Sequence, residues 1–325
     1  MSNRVLITEP IVEDSMDVLK KHYEVTVGER GYYDDEQHLI EDIPEYDALL
    51  SVLSNPVSKQ VIKAGKKLQI IANQAVGYDN VDVEAAAEAG IKVSNTPGVL
   101  TEASADGAFA LLMSTARKIC AAQAYLREGK FDGWDPVGFM GMELNGNTLG
   151  ILGMGRIGQA VARRARGFGM NIIYHNRSKV DPDFESELGA TYIDTVEELA
   201  RKSDILSLNC PLTDETRHII NQEMLEMMPD HALLINTARG PVVDEEALAQ
   251  ALHDHQIGGA GLDVFEEEPN VHPHLLTAPN CVLTPHIASS TYKTRKEMGL
   301  LAVNSIIGIL EGKEESEIPN LIETS

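Results

Sequence analysis

Cysteine, positive charge and long hydrophobic runs are all scarce in this chain of 325 residues. Its three cysteines, Cys120, Cys210 and Cys281, stand far apart and fit no metal or redox spacing. Reduced structural thiols are therefore expected, not a disulfide framework or a metal cluster. Lysine and arginine total 27 against 50 aspartates and glutamates, a formal net charge of −23. That balance argues against a nucleic-acid partner, which requires a basic footprint. No apolar run approaches the ~20 residues of a membrane span. The opening Met1-Ser2-Asn3-Arg4-Val5-Leu6-Ile7 enters a strand-like run without signal-peptide architecture. The expectation is a cytoplasmic protein with no membrane partner.

What is present is apolar residue in short, regularly spaced pieces. Hydrophobic residues make up 43% of the chain, ample for a packed core. The length exceeds the ~250–300 residues at which single cores stop growing, so two domains fit it. Strands are predicted at Val5–Thr8, Val25–Val27, Ala48–Ser51, Leu68–Ala72 and Ile91–Val93. Helical patterns lie between them at Glu13–His22, Asp34–Ile43, Ser58–Gly65 and Val83–Gly90. Alternation of this kind implies a parallel sheet covered by helices. An alanine-rich helix is predicted from Glu102 to Gly129, followed by a loop over 131–141 that holds Trp134. Further strands follow at Asn171–His175, Ala190–Ile193, Ile205–Leu208, Ala232–Asn236, Gly258–Leu262 and Cys281–Thr284, and a last helix at Thr291–Glu311. The fold class is α/β, with two parallel-sheet units.

One turn in the second unit carries chemistry. The apolar run Leu149–Leu152 enters a Gly-x-Gly-x-x-Gly pattern at Gly153, Gly155 and Gly158, and a helical pattern follows at Ile157, Val161, Ala165 and Phe168. Strand, tight turn and helix form the context in which this pattern binds a dinucleotide pyrophosphate. The free N–H groups of the helix start, including those of Arg156 and Ile157, face the anion at the positive end of the dipole.

Three ionisable residues follow predicted strands in the same unit: Arg239, Glu268 and His286, separated by 29 and 18 residues. Ligands of open parallel sheets bind beyond the carboxyl ends of the strands, so these three can converge. For a 2-oxo acid, an arginine fork matches the carboxylate, a histidine delivers a proton to the developing alkoxide, and a carboxylate orients the imidazole. Each also has a plainer reading: a surface ion pair for Arg239, a solvated acidic run for Glu268, and a helix cap for His286.

The chain resembles the D-isomer-specific 2-hydroxyacid dehydrogenases, most nearly the glyoxylate/hydroxypyruvate reductases. The resemblance rests on ordered words along nearly its whole length: Asn73–Asp82, Asn95-Thr-Pro-Gly-Val-Leu-Thr101, Gly150–Gln159, Cys210-Pro-Leu-Thr-Asp-Glu-Thr216, Ile235-Asn-Thr-Ala-Arg-Gly240, Gly259–Val264 and Thr284-Pro-His-Ile-Ala288. It implies Arg239 as the binder of the substrate carboxylate and carbonyl, His286 as general acid/base, and Glu268 as its partner. It also implies substrate contacts from Leu53 and from the backbone of Val76 and Gly77. Cofactor contacts are implied for Thr101, Cys210, Pro211, Thr216, Thr237, Ala238 and Ala288, with Asp263 on the nicotinamide carboxamide. The implied fold is a flavodoxin-like substrate domain, residues 1–100 and 287–325, interrupted by a Rossmann nucleotide domain, residues 101–286. A homodimer is implied too, with the Trp134 loop directed to the neighbouring copy.

The nucleotide and the acid follow from charge. An NAD site expects an acid about 20 residues past the glycine turn. Asn176 stands there, 18 residues beyond Gly158, followed by Arg177 and Ser178. Loss of a carboxylate removes repulsion toward a 2′-phosphate and Arg177 attracts it, so NADP(H) is favoured, with NAD(H) the alternative. Residues 51–55 and 74–79 contain no lysine or arginine, which disfavours a phosphorylated substrate. Glu268 disfavours a formate dehydrogenase, where the resemblance implies glutamine. Glyoxylate or hydroxypyruvate fits best, 2-ketogluconate or an NAD-linked acid second. A nucleotide-sensing corepressor is the reading of a different class.

Overall fold

The computed structural model describes residues 3–323, and these divide into two compact units, 3–100 with 290–323 and 101–289. In the first unit the chain alternates β1 (Arg4–Ile7), α1 (Glu13–Lys20), β2 (Glu24–Val27), α2 (Glu36–Asp42), β3 (Ala48–Ser51), α3 (Lys59–Ala64), β4 (Ile70–Asn73), α4 (Val83–Glu88) and β5 (Lys92–Ser94). The strands form one parallel sheet in the order β2-β1-β3-β4-β5. Every residue of β3 and β4 is buried, which is why these strands read as unbroken apolar runs and do not alternate. Asp35, Ser58 and Asp82 start α2, α3 and α4 by accepting backbone N–H bonds from the first turn.

The second unit begins with α5 (Thr101–Ala116) and α6 (Ile119–Arg127). It continues with β6 (Thr148–Leu152), α7 (Arg156–Gly167), β7 (Asn171–His175), α8 (Pro182–Leu188), β8 (Ala190–Tyr192), α9 (Val196–Lys202) and β9 (Ile205–Leu208). It closes with α10 (Gln222–Met227), β10 (Leu233–Asn236), α11 (Glu245–His253), β11 (Gly259–Leu262) and β12 (Cys281–Leu283). Its seven strands are all parallel, in the order β12-β11-β10-β9-β6-β7-β8. The order reverses beside β6, between β7 and β9. Separate apolar cores cover the two faces of this sheet.

The last helix, α12 (Tyr292–Leu310), belongs to the first unit. Its Ala302, Val303 and Ile306 pack with Val5, Ile7, Leu50 and Ile70 on one face of the five-stranded sheet. The chain thus completes its first sheet's cover only after building a second one. The division falls at 289/290, three residues beyond the expected 286/287, because Ile287 and Ala288 are bonded to Asp263 in the second unit.

One helix departs from expectation. The predicted Glu102–Gly129 segment is two helices, broken where Lys118 takes φ +51°. The carbonyl of Ala116 is drawn instead to the N–H of Met142 at 2.8 Å. The first helix is extensively buried, whereas α6 buries no residue. Burial also sorts the thiols: it pushes Cys210 up to about 11 and, with the charge of Glu245 adding, Cys281 up to about 12. Cys120 is exposed on α6. No helix among the described residues is long and apolar enough to cross a membrane.

Candidate active site

Register places the site before any side chain is considered. Leu152 pairs with both His175 and Leu208, Leu208 with Asn236, Asn236 with Leu262, and Leu262 with Leu283. Six parallel strands therefore end level. The segments leaving them carry Gly153, Asn176, Cys210, Arg239, Asp263 and His286 on one edge of the sheet.

At the reversal point, Gly153 adopts φ +95°. A β-carbon there would lie 2.6 Å from the carbonyl carbon of Asn209 and from the nitrogen of Cys210, so only glycine lets the loops after β6 and β9 approach. Gly155 precedes α7 with no side-chain cap, whereas Thr195, Asn221 and Asp244 cap α9, α10 and α11. A β-carbon on Gly155 would meet nothing within 4 Å, which leaves open space over the uncapped helix start where Arg156 and Ile157 stand. That arrangement fits a diphosphate. Asn176 is tied to the same loop: its Oδ1 accepts the Met154 N–H at 2.7 Å. With its oxygen so committed, the amide presents NH2 donors. Arg177 and Ser178 are exposed beyond it.

The remaining expected nucleotide contacts have definite settings. Thr101 is the first residue of α5. Cys210 is buried, and burial holds it as a neutral thiol. Thr216 turns its hydroxyl onto the carbonyl of Pro211 at 2.7 Å, closing the 211–216 turn. Thr237 and Ala238 are half-buried after β10, where Asn236 Oδ1 accepts the Ala238 N–H at 3.0 Å.

His286 has φ +53°, a region that histidine tolerates better than most residues. Its N–H donates to the carbonyls of Asp263 at 2.8 Å and Thr284 at 3.0 Å. The Asp263 carboxylate, 1% exposed, accepts three bonds: Thr284 Oγ1 at 2.6 Å, Ile287 N–H at 2.8 Å and Ala288 N–H at 2.7 Å. Asp263 thus grips the chain on both sides of the histidine. Such a buried carboxylate is stabilised by several donors at once.

Glu268 stands 2.9 Å from the imidazole, Oε2 to Nδ1, while its Oε1 accepts the Phe265 N–H at 3.1 Å. Burial alone raises this carboxyl. The hydrogen bond and charge of His286, the Phe265 N–H and the charge of Arg239 outweigh it, and together hold Glu268 below the ordinary glutamate value. Nε2 of the imidazole is left as the nitrogen opposite the carboxylate. Arg239 donates from Nη1 to the carbonyl of Ala238 at 2.8 Å. The next residue makes its approach to Glu268 feasible: a β-carbon on Gly240 would fall 1.9 Å from the carbonyl carbon of Phe265.

In the first unit, the loop over 74–79 hangs from buried Asn73 and half-buried Asn95. Asn95 Nδ2 donates to the carbonyl of Val76 at 2.8 Å, and Asn73 Nδ2 to that of Gly77 at 3.0 Å. A trans peptide sets N–H opposite C=O. Holding the Val76 carbonyl inward therefore turns the Gly77 N–H away from Asn95. Leu53 lines a shallow cavity of about 400 Å³ with Ser54, Asp79 and Asp82, and no lysine or arginine lines it.

Sequence reasoning named Arg239, Glu268 and His286 but overlooked the groups that hold them. Thr284 and Gly240 lie inside the quoted words, yet their roles depend on partners 21 and 25 residues away. A polar signal did exist for the other loop: Asn73 and Asn95 end or follow apolar strands, where an unpaired amide is costly.

Comparison with known proteins agrees in kind. The family described as D-isomer specific 2-hydroxyacid dehydrogenase, NAD binding domain, matches residues 109–288. The chain is 46% identical to a glyoxylate reductase of Thermococcus litoralis, over 99% of this chain and 97% of that protein. It is 44% identical to one of Aeropyrum pernix, over 98% and 95%. Among solved structures, a protein of Thermus thermophilus superposes with a TM-score of 0.91 at 41% identity, covering 98% of this chain and all of that one. An NADPH-dependent glyoxylate/hydroxypyruvate reductase of Sinorhizobium meliloti, in complex with NADP and malonate, gives 0.87 at 36% identity with both chains fully covered.

Proposed function

Because this chain belongs to the D-isomer specific 2-hydroxyacid dehydrogenase family, we propose that it is an NADPH-dependent reductase of a small 2-oxo acid, glyoxylate or hydroxypyruvate, that forms the D-2-hydroxy acid. The observation that carries the reading is the His286–Glu268 pair on the same sheet edge as Arg239 and the uncapped glycine turn. When bound, the reduced nicotinamide supplies a hydride to the carbonyl carbon. His286 holds the proton on Nε2 and passes it to the carbonyl oxygen as that oxygen gains charge. Glu268 keeps the ring oriented through Nδ1 and balances the imidazolium. Arg239 binds the carboxylate and polarises the carbonyl, with the N–H of Gly77 as the proposed second carboxylate donor and Leu53 bounding the small substrate.

Gly153, Gly155, Gly158, Arg156 and Ile157 would hold the diphosphate. Thr101, Cys210, Pro211, Thr216, Thr237 and Ala238 would line the rest of the nucleotide, with Asp263 and Ala288 at the carboxamide. The amide of Asn176, with Arg177 and Ser178, favours the 2′-phosphate. Absence of a cation around the Leu53 cavity supports an unphosphorylated acid. The test is NADPH oxidation followed by its nicotinamide absorbance with glyoxylate, hydroxypyruvate, pyruvate and 2-ketogluconate. Turnover is expected, with kcat/KM higher for NADPH than for NADH. Arg177→Ala lowers that preference about 10–100-fold, the equivalent of one charge-assisted hydrogen bond of roughly 1.5–3 kcal/mol. No turnover with any 2-oxo acid sinks the enzyme reading, and better turnover with NADH sinks the cofactor assignment.

A homodimer is part of the proposal. Helix α6 and the loop after it expose Ile119, Leu126, Phe131, Trp134, Val137 and Met140, with Trp134 at 85%. Six large apolar side chains facing solvent within residues 119–140 suit a second copy of the chain. Sedimentation velocity is expected to give twice the chain mass, and Trp134→Glu with Met140→Glu to shift it toward the monomer. A wild-type monomer at micromolar concentration overturns the assignment.

A further inference from the structure

We propose that Glu246, His272 and His274 form a binding site for a borderline divalent cation of the zinc class, on the surface of the second unit and separate from the catalytic residues. One ligand atom from each lies within 4.8 Å of the other two. His272 Nε2 is already 3.0 Å from a Glu246 carboxylate oxygen. Tetrahedral coordination with bonds of roughly 2.0–2.1 Å separates neighbouring donor atoms by about 3.3 Å. Small side-chain rotations of exposed Glu246 and His274 close the remaining distance.

The surroundings restrain these ligands. Pro273 fixes the backbone between the two histidines, and the Leu275 N–H closes the turn onto the His272 carbonyl at 3.0 Å. His274 packs edge-on against the rings of His272 and His253, with centroids 5.4 and 6.3 Å away. His253, farther along α11 from Glu246, meets the His274 carbonyl through Nε2 at 3.1 Å. The His272 Nδ1 is buried without a hydrogen-bond partner among the described residues, so the Glu246 carboxylate at Nε2 is the ring's polar contact there. Two imidazoles and one carboxylate select zinc, nickel or copper over magnesium or calcium, which prefer all-oxygen sets. The buried Glu245 beside Glu246 and the −23 net charge add a favourable field for a cation.

The position has a consequence for the loop. Glu245 and Glu266 already exchange backbone-to-carboxylate bonds at 2.8 and 2.7 Å, joining the start of α11 to the segment that leads into Glu268. A cation on Glu246, His272 and His274 adds a second tie between α11 and the far end of the same loop. Binding to the native state alone raises the melting temperature as ligand occupancy grows.

Protein stripped with a chelator and dialysed is titrated with ZnCl2 by calorimetry, and separately with MgCl2. A single zinc per chain at micromolar affinity is expected, with no heat from magnesium and a melting temperature that rises to saturation over the same range. The His272→Gln/His274→Gln double variant binds zinc at least about tenfold more weakly and loses the rise, while its metal-free melting temperature and turnover match wild type. Should the double variant melt early without metal, exposed His274→Gln alone is the comparison. Absence of saturable zinc binding up to about 0.1 mM overturns the proposal. Equal affinity in wild type and variant also overturns it, because the ion then sits elsewhere, for example on His286 and Glu268.

Discussion

Replacing His286 by asparagine lowers kcat for 2-oxo acid reduction by about 10²–10⁴-fold, the usual worth of a positioned proton donor. Asparagine is the appropriate substitute because position 286 has φ +53°, where asparagine and histidine are both tolerated and most side chains are strained. Backbone bonds from 286 to Asp263 and Thr284 survive the change, so the loss is chemical and not structural. NADPH affinity, read by quenching or enhancement of nicotinamide fluorescence, stays within about twofold, since no cofactor role is assigned to the ring. A loss of kcat below about tenfold contradicts the assignment. Glu268→Gln, which keeps the shape but removes the charge beside the imidazole, lowers kcat less than the His286 change and leaves NADPH affinity unaltered; a kcat equal to wild type breaks the pairing. The lowered Glu268 carboxyl also has a pH consequence for stability. A carboxyl held low in the folded chain stabilises above its ordinary value, and that contribution fades as pH falls through the folded value. Glu268 is more than a third exposed, so the solvent-screened stability effect is small beside the catalytic one.

Arg239→Ala lowers kcat/KM by about 10²–10⁴-fold, corresponding to two charge-assisted hydrogen bonds of roughly 1.5–3 kcal/mol each. The loss is shared between KM and kcat, because a guanidinium that both grips the carboxylate and polarises the carbonyl acts in ground state and transition state alike. Arg239→Lys recovers only part of it: the charge returns, but a point ammonium does not reproduce the planar fork. The alanine variant still folds, since the tight contact between the turn and the Phe265 carbonyl is made by Gly240. Binding of the substrate-like anion oxalate, followed by calorimetry with NADPH present, weakens in parallel. Unchanged oxalate affinity and unchanged kcat/KM together contradict the carboxylate role.

Much of this architecture was legible because parallel sheets bury both faces. Ala48–Ser51 and Ile205–Leu208 are buried throughout and keep the expected bounds, as does Asn171–His175. The glycine turn was legible for a comparable reason, since φ +95° and the approach of Asn209 leave no other residue at 153. The break at Lys118 was not. Alanine-rich sequence continues through it with good helical propensity, and what ends α5 is a tertiary bond from Met142 to the Ala116 carbonyl. The clamp of Asp263 was equally hidden. Nothing near Asp263 in sequence announces donors at 284, 287 and 288, because the level ends of β11 and β12 bring them there. The strand-end placement of the candidate residues was readable from the pattern; the supports were not, since they are long-range hydrogen bonds.

The uneven burial of the three thiols makes the molecule a convenient object for spectroscopy. Cys210 is buried and Cys281 half-buried, and both thiols are raised, whereas Cys120 meets solvent on α6. Alkylating dyes need an accessible thiolate. Nature has therefore left one labelling position per chain, on the very helix proposed to join two copies. A donor and an acceptor dye placed there by mixing separately labelled batches turn subunit exchange into a colour change, without adding or removing a single cysteine.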